Sequence, residues 1–188
     1  MNRGFLAGAG FVLMIGSAGC DWVSQKIGEK VAEKAIESAS GGKVDVDAKN
    51  GKLVYKDKDE TLELDGKKGS YSLKNKKDDS ELQVGKTAKL PDGFPSLIKL
   101  YPGSKILASY GGTNKGKSTY SLTLSTDAGM DKVTDFYKSL ADFEVKQEMN
   151  SPVHRMLGLK HSKEKLELNA MIMSKGQQST IQLSVTDG

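Results

Sequence analysis

The chain has 188 residues, with 28 Lys and Arg against 24 Asp and Glu and a net charge of +4 at pH 7. The excess is mild and its lysines are interspersed with acids, which excludes the one-sided basic surface that nucleic-acid binding requires and leaves at most a weak attraction to anionic headgroups. Cys20 is the sole cysteine, so no internal disulfide can form.

The first element is MNRGFLAGAGFVLMIGSAGC, in which Arg3 is the only charge before Asp21 and residues 4–15 are apolar or small. That run has the length of a signal-peptide core and is too short to cross a hydrocarbon layer of roughly 30 Å as a helix. Ser17, Ala18 and Gly19 lead into Cys20, and this stretch resembles the lipobox of bacterial lipoproteins. Ala18, Gly19 and Cys20 match the pattern, and Ser17 stands where it prefers Leu. The resemblance implies a signal peptide at 1–19, diacylglycerol transfer to the Cys20 sulfur, cleavage before Cys20 and acylation of the new amino group. It places the protein in the cell envelope, anchored to a membrane and facing the periplasm or the exterior. Two or three acyl chains anchor stably where one binds only marginally. The alternatives are an ordinary secretory signal with an incidental cysteine, or an uncleaved anchor. Asp21 resembles the sorting signal that retains lipoproteins in the inner membrane of Gram-negative enterics, a rule that varies among bacteria, so the choice of membrane stays open.

After Cys20, residues 20–42 form the tether. Val23, Ile27, Val31 and Ala35 recur every four positions, and Lys26, Lys30 and Lys34 each have a glutamate three residues on, at Glu29, Glu33 and Glu37. This spacing predicts an amphipathic helix, either a solvated or packed stalk or a helix lying on the bilayer. Residues 43–89 read as a polar β-hairpin and meander. Asn50-Gly51 sits between alternating stretches and signals a hairpin with the positive φ angles of a type I′ turn. Residues 61–64, 71–73 and 81–84 supply further short strands that are rich in Lys, Asp and Glu, enough to bury one face only.

Pro91, Pro95 and Pro102 mark residues 90–103 as a connector, which Phe94, Leu97, Ile98, Leu100 and Tyr101 dock onto a core. Residues 104–188 then alternate with period two, Ile106, Ala108 and Tyr110 sharing one side of a strand. At 126–143 the period becomes helical through Met130, Val133, Phe136, Tyr137 and Leu140, with Thr126 or Asp127 placed as the N-cap. Four more strands follow. The predicted fold is α+β: an antiparallel sheet with one packed helix, preceded by the amphipathic helix and the polar meander. The lipobox, GGKVDVD, LPDGFP followed by LYPG, and DKVTDFYKSL together resemble a group of exported bacterial lipoproteins of unknown function. That resemblance implies location and layout, and no activity or site residue.

GGTNKGKS at 111–118 satisfies the phosphate-loop pattern G-x-x-x-x-G-K-[ST]. A working phosphate loop needs a helix after Lys117-Ser118, and STYSLTLSTD alternates instead, so the octet reads as a polar hairpin turn and no nucleotide is expected. His154 and His161 are seven apart and point to opposite faces of a regular strand, with Glu164 in a turn, so no metal is expected and solvated strand-end histidines are. No catalytic residue is assigned: the thiol is used for lipidation, and no G-x-S-x-G elbow or isolated carboxylate pair is present. In LNAMIMS, Leu168, Ala170 and Ile172 share one side and Met171 and Met173 the other. Both sides being apolar, the first reading is core packing in a central strand covered twice; if one cover is not the helix, Met171 and Met173 form an interaction surface for a partner or an apolar ligand. The functional expectation is a lipid-anchored, non-enzymatic binding or interaction module with no cofactor, whose partners are the membrane through acylated Cys20 and an envelope protein. A carrier of a small apolar ligand and an extracytoplasmic enzyme with a dispersed site are the alternatives.

Overall fold

A computed structural model describes residues 37, 41–47, 49–114 and 116–187. The expected signal peptide, Cys20, Asp21 and the expected helical stripe from Val23 to Ala35 lie outside the described residues. Eleven strands follow in chain order: β1 (Lys43–Asp47), β2 (Lys52–Lys56), β3 (Glu60–Asp65), β4 (Ser70–Asn75), β5 (Ser80–Val84), β6 (Lys105–Asn114), β7 (Lys117–Thr126), β8 (Phe143–Asn150), β9 (His154–His161), β10 (Leu166–Lys175) and β11 (Gln178–Asp187). They hydrogen-bond in the order β1-β2-β3-β4-β5-β6-β7-β11-β10-β9-β8.

The architecture is therefore mainly β, and the α+β expectation is corrected. Period-two alternation prevails from residue 43 to residue 187 and is broken by one nine-residue helix, α1 (Met130–Lys138), between β7 and β8. The polar stretch expected as a separate meander contributes β1–β5 to the same hydrogen-bonded order. Two compact units divide between Ser72 and Leu73.

In the first unit, β1 alternates as expected, Val44 and Val46 inward and Lys43 and Asp45 exposed. Gly42 leaves room for the Tyr55 ring, which a Cβ there would meet at 2.4 Å. The hairpin at Asn50-Gly51 exists, but Asp47 pairs with Lys52, so the loop has four residues and is not a two-residue type I′ turn. Among the described loop residues only Gly51 adopts positive φ, at 65°. Asp47 explains the choice: its carboxylate accepts the Asn50 backbone amide at 3.0 Å and the Asn50 side-chain amide at 2.7 Å. Asp65 repeats the device, accepting the Lys68 amide at 3.0 Å ahead of Gly69 at φ 60°.

The second unit holds the continuous core. Leu122 and Leu124 of β7, Ile181, Leu183 and Val185 of β11, Leu168, Ala170 and Ile172 of β10, and Leu157 and Leu159 of β9 are buried on one face. Val133, Tyr137 and Leu140 from α1 and its exit cover them. Residues 90–103 dock as expected through Phe94, Ile98, Leu100 and Tyr101, although Leu97 stays exposed. Ring contacts of Phe94 with Tyr120 and of Tyr101 with Phe136, at 5.7 and 5.3 Å, fix the connector. Gly129 is the N-cap of α1 and no side chain caps it. Thr126 accepts the Ala128 amide at 3.3 Å and Asp127 accepts from Gln178 at 2.8 Å, so both expected caps fasten the loop to itself and to β11.

A bulge at Leu107 changes the phase of β6. Ile106 pairs with Leu124 on the core face, whereas Ala108 pairs with Thr123 and Tyr110 with Ser121 on the opposite face. Ile106 therefore does not share a side with Ala108 and Tyr110, because the extra residue reverses every side chain after it.

Candidate functional site

The octet GGTNKGKS forms the end of β6, a turn with Gly116 at φ 78°, and the start of β7. It is a hairpin between two ten-residue strands, and no helix follows it. His154 and His161 lie at the two ends of β9 and on opposite faces, as their spacing dictates. His161 is not solvated. It is buried, packs edge-on to Phe143 at 5.0 Å, and its Nδ1 accepts the Lys163 and Glu164 amides at 3.3 and 2.9 Å, which closes the β9–β10 turn. His154 Nδ1 meets Ser151 Oγ at 2.8 Å. Among the described residues no three of His, Cys, Asp and Glu are grouped to hold a metal ion, and no helix is long and apolar enough to cross a membrane.

Met171 and Met173 lie half-buried on the face of β10 opposite α1. Two further methionines join them. Across β8, β9 and β10, Met149 pairs with Met156 and Met156 with Met171, so three methionines stand in one row across three strands. Met173 pairs with His154 in the next row, and Val153 from the β8–β9 turn is 65% exposed beside it. Met149 is 49% and Met156 39% exposed, so the row is open to solvent. Beyond β10 the same row turns polar, through Gln182 and Thr123. The apolar patch is thus confined to the β8 end, made of the side chains best able to repack around different shapes.

This patch adjoins a free edge. Among the described residues the strand order ends at β8, so its outer backbone groups have no strand partner there. The side chains of this edge carry alternating charge: Glu144, Lys146 and Glu148, all exposed. Lys146 pairs with Glu144, and Lys138 of α1 reaches Glu148 at 2.6 Å. Hydrogen bonds from Lys138 and Asn150 hold the Glu148 carboxyl below its ordinary range, and the Lys146 hydrogen bond does so for Glu144. At the other end of α1, Asp131 meets Arg155 of β9 at 3.5 Å. The helix is therefore clipped to the two outermost strands of this end, which holds the edge in place while the methionine face stays open.

Sequence reasoning found Met171 and Met173 and missed Met149 and Met156. The signal was available: FEVKQEMNSPVHRM folds back at Ser151-Pro152, which places Met149 opposite Met156 in any hairpin of that register. No protein-family model, curated protein or solved structure matches this chain.

Proposed function

We propose that the protein is a non-enzymatic, lipid-anchored component of the bacterial cell envelope, acylated at Cys20. Its second unit captures an extended polypeptide that adds a strand to β8 and lays apolar side chains on Met149, Met156 and Met171. The observation that carries this reading is the continuity of the methionine row with an unpaired strand edge. Strand addition gives affinity through the backbone, and the adjoining side-chain surface gives selectivity. The alternating charges on the edge guard against indiscriminate pairing and favour a segment whose own charges complement Glu144, Lys146 and Glu148. A carrier of an apolar molecule would require a closed apolar cavity, and the cleft beside β5 and β6 is lined mainly by polar residues.

Photo-methionine incorporated into the full chain and irradiated in the membrane fraction tests the interaction. The expected result is a cross-link from Met149, Met156 or Met171 to one polypeptide, lost in both Met156→Glu and Gln147→Pro. Cross-links that arise elsewhere, or that survive both substitutions, overturn the site; a product made only of this chain replaces the partner with a second copy. Mass spectrometry of the mature N-terminus tests the anchor, with acylated Cys20 expected and an intact Met1 contradicting it.

A further inference from the structure

On the core face of the sheet, away from the methionines, β5 and β6 and the start of the connector enclose a cleft of about 200 Å³ within the second unit. The glycines of the octet make it possible. Gly111 sits opposite Glu81 in the ladder, and its missing side chain leaves open the floor against which Pro91 rests; a Cβ there would lie 2.8 Å from Pro91 Cβ. Around that floor stand three carboxylates, Asp79, Glu81 and Asp92, with Lys74 the single cation. The carboxylates do not converge on one point as metal ligands would. Glu81 is oriented by Gln83, whose side-chain amide donates to one carboxylate oxygen at 2.7 Å while its own carbonyl accepts the Lys89 amide at 3.1 Å.

A second observation is independent of the charges. Ser109 lines the cleft and is only 3% exposed as a residue, and its hydroxyl, which has no side-chain partner among the described residues, opens onto the cleft and is not sealed in the core. Tyr120, 8% exposed, presents a second hydroxyl on the same lining, close enough to Gly93 that a Cβ there would approach it at 2.9 Å. Polar atoms that line a cleft are satisfied by water or by a bound molecule that displaces it. Two hydroxyls that open onto the base of a pocket rimmed by excess negative charge favour a guest that is cationic at the rim and hydroxyl-bearing at the base. The volume is below that of drug-sized sites and suits a single small ring.

We propose that this cleft binds a small hydroxylated amine, an amino sugar being the class that satisfies both halves. Ser109 and Tyr120 exchange hydrogen bonds with ring hydroxyls, and Asp79, Glu81 and Asp92 hold the ammonium group. Isothermal titration and amide-resolved NMR of the full chain in detergent micelles, with glucosamine as the probe, test it against two controls. Glucose keeps the hydroxyls without the charge, and spermidine keeps charge without hydroxyls. Glucosamine is expected to shift the amides of Ser109, Gly111 and Tyr120 saturably, with glucose and the Asp92→Asn variant each weaker by about fivefold, the scale of a partly exposed ion pair. Ser109→Ala, which removes only the cleft-lining hydroxyl, is expected to weaken glucosamine while leaving spermidine unchanged. Absence of saturable shifts at these amides overturns the proposal, as does an equal response to glucose or to spermidine. Because these residues are on the opposite face from Met149, Met156 and Met171, the photo-cross-link of the methionine row is unaffected by either variant.

Discussion

Residues 43–72 and residues 73–187 are both antiparallel strands, yet they are held by different chemistry. In the first stretch Val44, Val46 and Leu62 are the buried apolar side chains among the described residues, and the strand ends are ordered by Asp47 and Asp65 gripping the amides three residues ahead. In the second, a continuous cluster from Ile98 to Val185 is sealed by α1. A net hydrogen bond contributes about 0.5–1.5 kcal/mol, and a fully buried leucine about 1.5–3 kcal/mol. Turn chemistry can therefore choose a register cheaply, but only a layered core gives a unit reserve enough to leave an apolar face uncovered and, among the described residues, the Ser104 and Tyr137 hydroxyls buried without a partner.

The largest test of that contrast is Leu168→Ala. Leu168 has no exposure and lies at the centre of the core, so its truncation is expected to remove about 3 kcal/mol in chemical denaturation. Leu62→Ala, in the turn-held unit, should remove about 1 kcal/mol, the typical cost of a substitution. Equal losses would abolish the distinction. A smaller effect of opposite sign is expected at Tyr137. Its hydroxyl is buried without a well-formed hydrogen bond, and burial pushes its pKa up, offset only slightly by the Tyr101 backbone amide. Tyr137→Phe should gain about 1 kcal/mol by removing an unsatisfied group, whereas a loss would reveal a partner for that hydroxyl.

The smallest effect is a pH dependence at the Asp47 turn of the first unit. Hydrogen bonds from the Asn50 side chain and backbone, in that order, hold the Asp47 carboxyl below its ordinary value. The group's folded pKa is depressed, so its contribution is present above the unfolded value and fades as pH falls toward the lowered one. Hydrogen-exchange protection of the Asn50 amide is expected to drop through that acid window, while the amides of Leu183 and Ile172 hold. The drop should vanish in Asp47→Asn, and a parallel loss at Leu183 would show that the two stretches do not respond separately.

Strand positions were the most legible feature of the chain, because alternation of the kind seen in β1, β7, β10 and β11 survives in one dimension. Helix α1 was legible for the same reason, since Met130, Val133 and Tyr137 break the period. Two kinds of information were not. The Leu107 bulge follows from how β6 meets β7, so nothing within KILASY announces that Ala108 leaves the side of Ile106. The adjacency of β7 and β11 joins residues more than fifty positions apart, and it decides which face α1 covers. The candidate sites divided along the same line: Met171 and Met173 were visible within one strand, while the cleft draws on residues from Lys74 to Tyr120 that only folding assembles. The α+β expectation overweighted one clear helix against many short strands.

The phase change in β6 has a consequence for how this protein can vary. Before Leu107 the strand delivers Ile106 to the core, and after it the same strand delivers Ser109 and Gly111 to the cleft. The two segments are in frame with the rest of the sheet only because one residue is spare. Substitutions along β6 act one at a time, but a deletion at Leu107 would exchange the faces of everything to one side of it, putting Tyr110 where Ser109 stands. Length, rather than identity, is the property of this strand that lineages of the protein are expected to hold fixed.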